Sequence, residues 1–103
     1  MGTLDLSADE KALSALAEES IDRGKALDLQ EAPEKAEQQY LAALQIQEKL
    51  FQRTGKPSYL AAAAESCEYL ADLCMQQGNM HGADQFYVRA LDYQSREKRG
   101  RQV

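Results

Sequence analysis

Apolar and small residues return along this chain every three or four positions, the spacing that lines up one face of an α-helix. A first stripe runs through Leu13, Leu16, Ala17, Ser20, Ile21, Gly24 and Leu27. Just before it, Ser7-Ala8-Asp9-Glu10 has the form of a capping box, in which a hydroxyl and a carboxylate satisfy the free amides of a helix start. A second stripe, Ala36, Tyr40, Ala43, Leu44, Leu50 and Phe51, follows Pro33, whose missing N–H costs nothing in a first turn. The third is Leu60, Ala63, Ala64, Cys67, Leu70, Ala71 and Cys74, and the fourth Ala83, Phe86, Tyr87, Ala90 and Leu91. Thr54-Gly55-Lys56-Pro57 is the clearest break, with glycine to end one helix and proline to open the next. Gly78-Asn79 supplies a terminating glycine and then an N-capping asparagine. The pattern predicts one all-α domain over residues 1–103, with two antiparallel helical hairpins at about 8–54 and 57–98 and a basic tail at 99–103.

The hairpins repeat. Ala36, Tyr40, Ala43 and Leu44 reappear as Ala83, Tyr87, Ala90 and Leu91, each displaced by 47 residues (83 − 36, 87 − 40, 90 − 43, 91 − 44). The same displacement pairs Ala17 with Ala64, Ser20 with Cys67, Gly24 with Ala71 and Leu27 with Cys74. Repeated hairpins imply stacked units that bury one another's faces.

Leu70-Ala71, Gly78, Ala83, Tyr87, Ala90 and Leu91 stand at the spacing of the tetratricopeptide signature, and the chain resembles that family over roughly residues 17 to 93. The first unit matches through Gly24, Leu27, Ala36, Tyr40, Ala43 and Leu44, but carries Arg23 where a leucine is usual. Residues Ala43 to Leu50 followed by Thr54-Gly55-Lys56-Pro57 are similar to the longer-repeat branch related to kinesin light chain and common in bacterial proteins. The resemblance implies a right-handed superhelix fragment in which the first helix of each hairpin lines a concave groove. It places Glu18, Ile21, Lys25, Asp28 and Leu29 in the groove from the first unit, and Glu65, Glu68, Asp72, Met75 and Gln76 from the second. Spacing agrees, because these positions lie off the packing stripe. Acids dominate the set, which favours a basic or polar peptide. Glu68 and Asp72 occupy the places where chaperone-binding relatives clamp a terminal carboxylate, so an acidic tail is an unfavourable ligand.

Charge narrows the classes further. The net charge of −5 opposes a nucleic-acid role, since phosphates require a basic face. Ten acids against four bases fill the stretch from Met1 to Glu37, whereas Arg96, Lys98, Arg99 and Arg101 oppose only Glu97 in the tail. Such a tail reads as a solvated helix end that suits the helix dipole. No apolar run approaches the ~20 residues of a membrane span, and Met1 to Glu10 lacks the basic-then-apolar form of a signal peptide. A cytoplasmic protein is expected, with Cys67 and Cys74 reduced.

Chemistry is sparse. His81 is the only histidine, Cys67 and Cys74 fall on packing positions, and no phosphate loop or zinc spacing appears. These features predict no enzyme, no metal and no cofactor. What remains is a small adaptor, regulatory or chaperone-like module that binds another protein. The alternative is a self-assembling bundle, a homodimer joined at an open end of the stack formed by Phe86, Tyr87, Leu91 and Tyr93.

Overall fold

The computed structural model describes residues 6–101, with side chains for 9–100. It contains four helices, α1 (Leu6–Leu29), α2 (Pro33–Thr54), α3 (Pro57–Gln76) and α4 (Met80–Arg101). The protein is all-α, two helical hairpins packed side by side through α2 and α3.

Each boundary has a local cause. Gly55, at φ +70°, closes α2 and donates its N–H to the Phe51 carbonyl. Gly78, at φ +75°, takes the left-handed conformation after α3 while the next N–H, from Asn79, reaches back to the Cys74 carbonyl at 2.8 Å. Asn79 then caps α4, its side-chain oxygen accepting from the Gly82 N–H at 3.0 Å. Pro33 and Pro57 open α2 and α3. The α1–α2 turn uses no glycine: Glu31 itself adopts φ +59°, and the Ala32 N–H bonds back to the Leu27 carbonyl.

Two boundaries differ from the sequence reading. Helix α1 already runs at Leu6, so Ser7 is a helical residue rather than a cap. The Ser7 and Ala8 side chains lie outside the described residues. Glu10 does not turn back on its own helix: Lys56 Nζ reaches its carboxylate at 2.6 Å and the Tyr59 hydroxyl donates to the same oxygen. At the other end the expected tail is helix through Arg101, and Gln102 and Val103 lie outside the described residues. Gly100 keeps that end of α4 against the start of α3, since a Cβ there would sit 2.9 Å from Pro57 Cγ. Bases in a last turn also suit the helix dipole.

The repeat has a geometric counterpart. Contacts across α1 and α3 join Glu10 to Lys56 and Tyr59, separations of 46 and 49 residues, and Lys25 to Tyr69. Glu48 of α2 meets Arg89 and Tyr93 of α4 at separations of 41 and 45. Alternate helices therefore lie parallel, offset by close to one 47-residue unit.

The core forms where small residues admit a neighbouring helix. Ala36 and Ala43 in α2, and Ala83 and Ala90 in α4, are buried within their own hairpins. Tyr40 fills the space between hairpins: it is 2 % exposed, stacks on Tyr69 with ring centroids 5.1 Å apart, and lies over Gly24. Leu44, Cys67, Leu70 and Leu73 complete the cluster. One buried polar contact crosses it, from Ser66 Oγ to Gln47 Oε1 at 2.7 Å.

The repeat equivalents also define the two ends of the stack. Tyr40 and Leu44 are each 2 % exposed beneath the second hairpin, whereas Tyr87 and Leu91 are 37 % and 65 % exposed. At the opposite end, the buried Ser66 and Leu70 of α3 correspond to exposed Glu19 and Arg23 of α1, which pair with each other at 3.6 Å. One end sets the Glu19–Arg23 pair beside Leu16, 44 % exposed, and the other carries an apolar strip.

Candidate functional site

Residues from α1 and α3 converge on a furrow between these parallel helices. Glu18, Ile21 and Asp22 from α1, and Ala62 and Glu65 from α3, surround a recess of about 320 Å³ floored by Gln47 of α2. A neighbouring recess of about 310 Å³ shares Glu18, Gln47 and Ala62 and extends the furrow towards Ser58 and Tyr59. The floor is ordered because Gln47 is buried and accepts the Ser66 hydroxyl. Along the rim, Lys25 sits 5.1 Å from the centre of the Tyr69 ring, and the Tyr69 hydroxyl donates to Glu65 Oε1 at 2.7 Å. A carboxylate-rimmed slot with an apolar wall and a primary amide at its base presents acceptors to a ligand's N–H groups and cations.

The ten predicted groove residues are spread along α1 and α3, and only some of them meet in the recess. Glu18, Ile21 and Glu65 meet in the recess, with Lys25 on its rim. Glu68 and Asp72 follow Glu65 along the same exposed strip of α3 and are tied to α4, where Gln94 Nε2 donates to Glu68 at 2.8 Å and the Tyr87 hydroxyl to Asp72 at 2.9 Å. Asp28 and Leu29 close α1, and Met75 and Gln76 close α3, at the far end of the furrow; Leu29 is 87 % exposed. Asp22, Ala62 and Gln47 were missed. Asp22 lies one turn beyond Glu18 and was legible as the same helix face. Gln47 was hidden because a glutamine on an apolar stripe gives no sign of its depth.

The predicted open end also divides. Phe86 and Tyr93 are half-buried against the core, and the Tyr93 hydroxyl and Arg89 both bind Glu48 of α2. Tyr93 therefore belongs to the α2–α4 contact, while Phe86 lines the depression on the outside of α4. Tyr87 and Leu91 do face outwards, joined by Val88, which is 65 % exposed and stands where Leu41 stands in the first hairpin. Beside them a shallow depression of about 470 Å³ follows α4 from His81 and Asp84 to Arg89.

The remaining chemistry-bearing groups are tied to structure. His81 is exposed, and its Nε2 lies 3.2 Å from Gln85 Nε2. Cys67 and Cys74 are free buried thiols; burial pushes Cys67 up to about 11 and raises Cys74. Among the described residues no group of three or more His, Cys, Asp or Glu is placed to hold a metal ion, and no helix is long and apolar enough to cross a membrane.

Compared with models of known protein families, with curated proteins and with solved structures, the chain matches none.

Proposed function

We propose that this protein is a cytoplasmic, non-enzymatic interaction module of the tetratricopeptide type that holds a basic or polar segment of another protein in the furrow between α1 and α3. The observation that carries this reading is the convergence of Glu18, Asp22 and Glu65 from two helices on one recess beside Ile21 and the Gln47 amide. Carboxylates there attract a lysine or arginine side chain, Ile21 supports its aliphatic stem, and the amide meets a backbone group. The 47-residue repeat, carried by Ala36, Tyr40, Ala43 and Leu44 and their equivalents, supports the family assignment. Acidic peptides and nucleic acid are disfavoured by the same field.

Charge reversal tests this directly. Glu18→Lys with Glu65→Lys should abolish capture of an extended Lys-containing peptide and favour its Glu-containing counterpart, while leaving the helical circular-dichroism signal intact. Capture of the lysine peptide unchanged by both reversals would refute the furrow as the binding site.

A further inference from the structure

The outward face of α4 is a second, chemically distinct surface. Its strip of Tyr87, Val88 and Leu91 occupies the positions that Tyr40, Leu41 and Leu44 hold on α2. On α2, helix α3 packs against that face and Tyr40 and Leu44 are buried. The molecule thus contains one example of what this surface receives, a helix laid against it. On α4 the strip is exposed, and the depression reaching from Asp84 past Val88 offers room for an anchoring side chain.

The flanks state the charge of the occupant. Glu68 and Asp72 of α3 line one side of the strip through their bonds to Gln94 and Tyr87, and Asp84 stands at its start. Lys98, where α2 has Phe51, marks its far end. This arrangement disfavours a second copy. A two-fold axis through Leu91 that pairs α4 antiparallel with its mate places both α3 helices on one side, setting Glu68 and Asp72 against the same acids of the other copy. End-to-end stacking is no better, because on the α1 end face Arg23 is already paired with Glu19 and leaves no net positive charge for these acids.

We infer that the Tyr87–Val88–Leu91 face of α4 is a docking site for an amphipathic helix of another protein, one with apolar residues at three- and four-residue spacing and lysine or arginine beside them. The binding mode is helix against an apolar strip, and the acids at its edge select the partner. It differs from the furrow, which lies between α1 and α3 and takes an extended segment.

Two labelled helical peptides identical in their leucine stripe test it, one flanked by lysine and the other by glutamate, with binding read by fluorescence anisotropy. The lysine peptide should bind the wild-type protein at least about tenfold more tightly than the glutamate peptide. Leu91→Glu and Val88→Glu, both at exposed positions, should each abolish that binding. Asp84→Lys with Glu68→Lys should invert the preference, and Glu18→Lys with Glu65→Lys should leave it unchanged. Equal affinity for the two peptides, no binding of either, or binding that survives Leu91→Glu would overturn the inference. So would a stable dimer in light scattering that Leu91→Glu dissociates, because the face would then belong to a second copy.

Discussion

Gly24 and Tyr40 fit together as ring against backbone: a Cβ on Gly24 would lie 2.7 Å from Tyr40 Cε1 and 2.9 Å from Cδ1. The ring cannot swing away, because Tyr69 stacks on it. In an ordinary helix interior, Gly→Ala gains up to ~1 kcal/mol of helix propensity. Here overpacking should outweigh it, so Gly24→Ala is expected to lower stability by about 1–2 kcal/mol in chemical denaturation. Tyr40→Ala should cost about 3 kcal/mol or more, as a large-to-small core truncation. A stabilised Gly24→Ala would show that the ring is free to move.

Ser66 and Gln47 form a buried polar pair in an otherwise apolar seam. Ser66→Ala leaves the Gln47 oxygen without its donor and should cost about 1–3 kcal/mol. Adding Gln47→Leu should restore part of that loss, because both polar partners are then gone. Additive losses in the double-mutant cycle would exclude the coupling.

Lys56 and Tyr59, by hydrogen bonding to the Glu10 carboxylate, hold it below its ordinary value of 4.5. The depressed value in the folded state means that the contribution of Glu10 is complete above the unfolded value and is lost as pH falls through the folded one. The melting-temperature gap between wild type and Glu10→Gln should therefore be widest at neutral pH and close in acid. A gap independent of pH would show that the contact contributes through packing rather than charge.

Burial governs both thiols, with Cys67 pushed up to about 11 and Cys74 raised above its ordinary value. The native protein at neutral pH should react slowly with a disulfide reagent, and both thiols should react rapidly once denaturant is added. Fast native labelling of Cys67 would mean that α3 opens far more often than its packing implies.

The turns with a distinctive residue were legible before the structure: Gly55, Gly78, Asn79, Pro33 and Pro57 each take the role their chemistry predicts. The α1–α2 turn was not, because Glu31 enters the left-handed region that sequence reading reserves for glycine. The repeat was legible since small residues and tyrosines recur at one offset. Where each repeated residue faces was only half legible. Tyr87 copies Tyr40 in sequence but is exposed among the described residues, and Tyr93 turns to Glu48, a long-range partner that no local pattern records. Glu10 was likewise assigned to its own helix start and instead serves the α1–α3 contact. Helical periodicity reports which residues share a face; it does not report which neighbouring element that face meets.

The most direct test of the interaction role is a titration of the isotope-labelled protein with an extended Lys-containing peptide, followed by amide chemical shifts. Changes should concentrate on α1 and α3 around Glu18, Ile21, Asp22, Ala62 and Glu65 and saturate, with a glutamate peptide inert. Shifts absent from that seam at peptide excess, or the same response to the glutamate peptide, would contradict that role.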